Sequence, residues 1–202
     1  MAKKRMTGEA RRRQIVRVST GLFVKKGFSG TTTREIARKA GISEAVIFRH
    51  FSRKEDLYRA IIGSRCDGSD GKSRLMGAIE GKKGRDVFRE VASFLIREHQ
   101  RDQTLMRLLT QSALERHDLA EVFIKTRGLE LIEFLERQIK ELVREGRLRK
   151  VDPKIAARAF MGMVLHFSLS QELYGLKRYF KWPNDRVVDT FVKIFFDGVT
   201  RR

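Results

Sequence analysis

The sequence predicts an all-α chain of 202 residues, and three observations carry that prediction. Apolar residues recur three and four apart from Glu9 to Lys26 and again in every segment beyond Arg85, a spacing that places them on one side of a helix. Helix-start signals stand just before such stretches: Thr32 with Glu35, Ser52 with Glu55, and Asp152 with Pro153. Gly27, Gly41 and Gly146 follow the last periodic residue of their segments, where a helix stops.

Taken in order, Met1 to Gly8 holds Lys3, Lys4 and Arg5 and has little to bury; it is either a solvated tail or a basic arm along a polyanion. The first helix carries Ile15, Val18, Leu22 and Phe23 and ends at Gly27. The second starts at Thr33, where a capping box is expected: the Thr32 oxygen takes a free backbone N–H while Glu35 reaches back. It presents Ile36, Ala37 and Ala40 and ends at Gly41, a residue type that takes the left-handed conformation without steric cost. Ser43 opens a short third helix in which Ile47 and Phe51, four apart, both turn inward. A second capping box, Ser52 with Glu55, starts a fourth helix at Arg53, with Leu57, Ile61 and Ile62, fading at Gly63.

From Gly63 to Gly84 there are six glycines, and a loop with one short helix around Leu75, Met76 and Ile79 is expected. Val87, Val91, Phe94 and Leu95 make the next helix, and Leu105, Leu108, Leu109 and Ala113 the one after. Asp118 caps a long stripe of Leu119, Val122, Phe123, Ile132, Leu135, Ile139 and Leu142, with a break placed near Gly128 and a stop at Gly146. The last two helices, after Asp152-Pro153 and after Trp182-Pro183-Asn184, are apolar nearly all round. One carries Ile155, Ala156, Ala159, Phe160, Met163, Val164 and Phe167 beside small Ala157 and Gly162; the other carries Val187, Val188, Phe191, Val192, Ile194, Phe195, Phe196 and Val199. Helices apolar on both sides must bury both. They are read as a four-helix interface between two copies related by a twofold axis, built on Ile155, Ala159, Gly162, Val188, Phe191 and Phe195. A large monomeric core is the alternative.

The charge balance narrows the partners. Lys and Arg number 44 against 25 Asp and Glu, a net +19. Residues 1 to 65 carry 17 basic and 5 acidic side chains, net +12, so the excess is concentrated at the N-terminal end. Such a field attracts polyanions. Cys66 is the lone cysteine, so no intrachain disulfide forms, in keeping with a reducing cytoplasm. No apolar run has membrane-spanning length and no signal segment follows the basic start, so a cytoplasmic protein without a membrane partner is expected.

Within that basic region, two helices separated by a few residues containing Gly41 have the sequence form of a helix-turn-helix, whose second helix lies in the major groove of DNA. With Ile47 and Phe51 inward, the 100° step per residue sets Ala45, Val46 and Arg49 on the opposite side, flanked by Glu44 and Phe48. Small residues let the backbone approach the bases, and Arg49 reaches guanine or phosphate. An ordinary helical hairpin is the bland alternative, and the charge weighs against it.

These residues also carry a resemblance. Gly27-Phe28, Thr31-Thr32-Thr33-Arg34-Glu35-Ile36-Ala37, Ala40-Gly41-Ile42-Ser43, Phe48-Arg49-His50-Phe51 and Lys54-Glu55-Asp56-Leu57 resemble the N-terminal domain of the TetR family of transcriptional regulators, over a span from Arg13 to Ile62. The resemblance implies phosphate contacts at Thr32, Ser43, His50 and Lys54, and base contacts at Thr33, Arg34, Glu44, Ala45 and Val46. It also implies a dimer interface on the last two helices, and a fourth helix that links reader to sensor. Where Phe48 stands the family usually has Tyr, whose hydroxyl reaches a phosphate; Phe48 keeps the packing without that hydrogen bond. The family often has Gly-Thr where Ala45-Val46 stand.

Catalytic chemistry finds no support. His50, His99, His117 and His166 are isolated, without metal-ligand spacing, and no metal or cofactor is expected. Gly71-Lys72-Ser73 resembles the end of a phosphate-binding loop, but Cys66 stands where that motif needs glycine. Phe94, Met106, Leu109, Phe123, Met163 and Phe167 are candidates to line an effector cavity, with His166 orienting the guest; for each, plain core is the alternative. The reading is a helix-turn-helix domain over residues 1–62 and a helical effector-binding and dimerisation domain over 63–202. The expected function is a dimeric sequence-specific repressor of a near-palindromic double-stranded DNA operator, released by a small, largely apolar effector. The rivals are a ligand-independent DNA-coating protein and, with little behind it, a nucleotide-dependent enzyme.

Overall fold

The computed structural model describes residues 6–66, 69–115 and 119–199, a few helix side chains among them excepted. Lys3, Lys4, Arg5, His117 and the expected cap Asp118 lie outside the described residues. In chain order come α1 (Gly8–Lys26), α2 (Thr33–Ala40), α3 (Glu44–His50), α4 (Lys54–Cys66), α5 (Ser69–Ile79), α6 (Arg85–Arg101), α7 (Thr104–Leu114) and α8 (Leu119–Phe123). A π-helical turn (Ile124–Gly128), α9 (Leu129–Arg144), α10 (Pro153–Glu172), a 3-10 turn (Leu176–Arg178) and α11 (Asn184–Val199) complete it. The all-α expectation holds.

The chain divides into two units, one of Met1–Gly68 with Thr104–Phe123, the other of Ser69–Gln103 with Ile124–Arg202. This differs from the expected division after residue 62. α7 belongs with the head because Leu108 is fully buried in the head's core, with Leu105, Leu109 and Phe123 packed on the same cluster. That core is Ile15, Leu22, Phe23, Ile36, Ala37, Ile47, Phe51, Leu57, Tyr58 and Ile61 around Leu108. Each fully buried side chain of this size contributes about 1.5–3 kcal/mol.

The second unit is centred on a phenylalanine cluster. Phe88 of α6 meets Phe160 of α10 at 5.0 Å edge to face, and Phe195 and Phe196 of α11 at 5.4 and 5.2 Å. Leu135, Ile139 and Leu142 of α9 and Leu75 and Ile79 of α5 close the cluster. Asp152 caps α10 as expected, accepting from the N–H groups of Lys154 and Ile155 at 2.9 Å each, with Pro153 at the first position. Asn184 does not cap α11 with its side chain, which instead exchanges two hydrogen bonds with Gln100 at 2.8 and 3.0 Å.

Two segments are more helical than the sequence suggests. α4 continues through Gly63 to Cys66, and most of the expected glycine-rich loop is α5. Burial of Leu75 and Ile79, one turn apart, outweighs the cost of about 1 kcal/mol for each interior glycine. Gly71, Lys72 and Ser73 therefore lie inside a helix and form no phosphate-cradling loop. The long stripe beyond residue 118 is interrupted at the π-helical turn, which ends at Gly128 where a break was expected.

Candidate nucleic-acid interface

The reader is positioned by backbone capping. The Thr32 hydroxyl accepts the Glu35 N–H at 3.1 Å and starts α2. Gly41, at φ 65° and ψ 39°, stops α2 with its N–H on the carbonyls of Ala37 and Arg38. Only half of the expected capping box forms: the Glu35 carboxylate turns away to Lys26 Nζ at 2.6 Å, and that bond holds its carboxyl below the usual range. The second expected box is absent, since Ser52 and Glu55 are not bonded to each other and α4 starts at Lys54 rather than Arg53. Gln14 of α1 donates to the Ala40 carbonyl at 3.1 Å and ties the end of α2 to α1.

α3 then orients itself by its apolar pair. Ile47 and Phe51 are buried, so the opposite face points outward, with Ala45 and Arg49 exposed, Val46 half-buried and Phe48 48% exposed. Arg49 has no hydrogen-bond or ionic partner among the described residues, and Ser43 makes no cap bond, so both are available to a ligand. Thr33, Arg34 and Glu44 are brought together at the mouth of the turn: the Thr33 hydroxyl donates to Glu44 Oε1 at 2.6 Å, and Arg34 Nε lies 3.9 Å from Glu44 Oε2. His50, half-buried, ends the helix.

Lys54 is placed otherwise than as a free phosphate contact. Its ammonium donates to the carbonyls of Phe28 and Thr31 at 2.9 and 3.0 Å and sits 4.0 Å from the centre of the Phe28 ring. It is committed to the connection between α1 and α2. A carboxylate that no local pattern singles out grips the same connection. Glu115, just past α7, accepts from the N–H groups of Phe28 and Ser29 at 3.1 and 3.0 Å and from the Ser29 hydroxyl at 3.2 Å. Tyr58 lies tilted against both Phe23 and Phe28, ring centroids 4.7 and 5.2 Å away, and donates to the Leu108 carbonyl at 3.3 Å. Burial, helped by the Glu115 charge, pushes its hydroxyl up to about 12.

A capped two-helix turn with an outward, cation-bearing second helix, within residues 1 to 65 that carry net +12, is a DNA-reading arrangement. Two family models match the chain: the bacterial regulatory proteins of the tetR family over residues 15–61, and the C-terminal domain of AefR-like transcriptional repressors over residues 85–198. The chain belongs to the TetR family of transcriptional regulators. Members of this family are DNA-binding regulators rather than enzymes. The uncharacterized HTH-type regulator YvkB of Bacillus subtilis is 22% identical over 93% of this chain and 96% of its own. Nucleoid occlusion factor SlmA of Vibrio cholerae is 28% identical over 76% of this chain and 80% of its own. A solved structure of AibR with isovaleryl coenzyme A and operator DNA matches with a TM-score of 0.68 at 24% identity, covering 92% of this chain and 98% of that one.

The residues expected to line an effector cavity of this TetR-family chain are divided between its units. Leu109 and Phe123 pack on the head's core, and Met106 also belongs to that unit. Phe94, Met163 and Phe167 pack on the second unit's core, Phe167 edge-on to Phe191 at 5.5 Å. His166 is exposed, with its Nε2 3.2 Å from the Ser170 hydroxyl, so it orients nothing inside a cavity. A cleft of about 520 Å³ lies along α1, lined by Arg12, Arg13, Arg17 and Thr20 with Ser64 and Thr104, and none of the seven lines it. Of the residues expected at a dimer face, Ile155, Ala159 and Gly162 are exposed along α10 and Phe191 is half-buried. Val188 and Phe195 are instead buried in the chain's own core, because their side of α11 faces Phe88 and Phe160. Leu165 on α10 and Ile194 on α11 are also exposed, 43% and 58%. Among the described residues no cluster suits a metal ion, and no helix is long and apolar enough to cross a membrane.

Proposed function

We propose that this chain is a homodimeric repressor that reads a near-palindromic operator and is released by a small, largely apolar effector. The observation that carries the reading is the outward face of α3, where exposed Ala45, Phe48 and Arg49 stand free of the fold beside the Thr33, Arg34 and Glu44 cluster. Specificity then comes from Arg49 and the small residues at the bases, while Ser43 and His50 hold phosphates. Lys54 acts indirectly, by holding the connection that carries Thr32. The exposed apolar line of Ile155, Ala159, Gly162 and Leu165 on α10, with Ile194 on α11, supports a twofold contact between copies. Such a dimer sets its two recognition helices about 34–36 Å apart, or a multiple of it. The AibR complex with isovaleryl coenzyme A and operator DNA supports an effector as well as an operator. An effector that prefers a differently spaced dimer weakens DNA binding by its differential affinity, typically ~1–3 kcal/mol.

A mobility shift on DNA from the chain's own upstream region, repeated against a panel of hydrophobic small molecules, tests this. A discrete complex that one of them dissolves is the expected result; a complex indifferent to every one removes the effector from the account. A second reading, a ligand-independent DNA-coating protein, is favoured by the net charge of +19. It predicts equal affinity for all sequences and a steep salt dependence.

A further inference from the structure

The second unit contains a polar cluster where its α6 and α10 ends meet. Ser168, Gln171 and Glu172 are buried on one side of α10, at the three- and four-residue spacing of a shared face. Opposite them Gln103, just past α6, donates to Glu172 Oε2 at 2.6 Å, and His99 lies one turn before Gln103, within the field of the Glu172 charge. Lys177 donates to the same Glu172 oxygen at 2.6 Å. Yet three atoms here are buried without a hydrogen-bond partner: His99 Nδ1, Ser168 Oγ and Gln171 Oε1. Buried polar groups are nearly always satisfied, because an orphan loses its water and gains nothing. Three orphans on facing helix ends are groups that a water or the polar atom of a ligand would satisfy.

The orphans also specify the partner's chemistry. Gln171 Oε1 only accepts, the Ser168 hydroxyl donates or accepts, and the imidazole of His99 is held neutral by burial. The charge of Lys177 is already matched by Glu172, whose side chain is 4% exposed. An incoming anion would meet that carboxylate beside an ammonium already paired with it, and an incoming ammonium would surrender its hydration for a carboxylate already taken. Leu95 and Phe167, half-buried one turn back along the two helices, offer an apolar wall for the remainder of the guest.

We propose that this cluster is the polar end of the effector site, and that it takes the uncharged hydroxyl or amide head of a small apolar molecule rather than a carboxylate or an acyl carrier. The proposal deepens the effector reading above and rests on it for the ligand's apolar remainder. Direct binding, measured without DNA, keeps the two separable: an alcohol that binds but leaves the DNA complex intact upholds the site and defeats the effector reading. The probes are the straight-chain alcohols from butanol to decanol, with the primary amides, carboxylates and amines of the same lengths, titrated calorimetrically into the full chain. Alcohols or amides are expected to bind, and Gln171→Leu with Ser168→Ala to weaken them about tenfold or more. The same variants, relieved of orphan groups, are expected to melt at or above the wild-type temperature when empty. Carboxylates or amines binding as tightly as alcohols would overturn the proposal. So would no binding by any probe, unchanged affinity in the variants, or variants that melt lower when empty, which would show the groups already bonded.

Discussion

The connection between α1 and α2 sets the position of the reader, and Gly27 is where it is most exposed to perturbation. Gly27 sits at φ 72° and ψ −178°, a region essentially reserved for glycine, so alanine there costs about 1–3 kcal/mol from the backbone alone. A Cβ at Gly27 would also overlap Glu115 Oε1. The carboxylate must then leave, giving up the N–H groups of Phe28 and Ser29 and the Ser29 hydroxyl. Glu115 is exposed, so water competes for these bonds and their loss together costs about 1–2 kcal/mol. Gly27→Ala should therefore destabilise by about 2–5 kcal/mol. With Glu115→Ala already in place no carboxylate remains to displace, and the same change should cost only the backbone share, about 1–3 kcal/mol. The double variant falls short of additivity by about 1–2 kcal/mol, which urea unfolding of the four proteins reads directly. Additivity within about 0.5 kcal/mol would refute the clamp.

Lys54→Met should lower the melting temperature as well as affinity for every DNA sequence, by about 2–3 kcal/mol, because two backbone carbonyls lose their charged donor; unchanged melting with weaker DNA binding would mean a phosphate contact instead. Burial holds the His99 ring below its ordinary 6.5, against the raising pull of Glu98 and Glu172. As the pH falls below 6.5 the unfolded chain therefore takes the proton first, so the contribution present above that value is lost toward acid. His99→Gln should flatten this acid limb in thermal melts, and an unaltered limb would contradict the burial argument. Ile155→Glu with Ile194→Glu, both at exposed positions, should leave the melting of the fold within about 0.5 kcal/mol while yielding a single-copy species in sedimentation; an unchanged dimer would move the interface elsewhere.

Most of the reader was legible because its signals are local. Thr32, Gly27 and Gly41 act on backbone groups within a few residues, and Ile47 with Phe51 fixes the rotation of α3 by spacing alone. What was not legible depends on partners distant in sequence. Glu115 lies 87 residues from Phe28, and nothing around it separates a clamp from a solvated carboxylate. Glu35 and Lys54 have local roles that suit them, yet Lys26 and the Phe28 and Thr31 carbonyls offer stronger ones. On α11 the pattern showed that both sides are apolar but not which side meets Phe88, so Val188 and Phe195 were assigned to the wrong side. Glycine count misled at α5, where burial of Leu75 and Ile79 overrode intrinsic propensity.

The most direct test compares affinity for a palindrome from the chain's own upstream region with affinity for random DNA of equal length at physiological salt, in the wild type and in Arg49→Ala. The wild type should prefer the palindrome by about a thousandfold or more, and Arg49→Ala should give up about 1–3 kcal/mol on the palindrome alone. A wild-type ratio near one, or an equal loss on both DNAs, would contradict a recognition helix that reads bases.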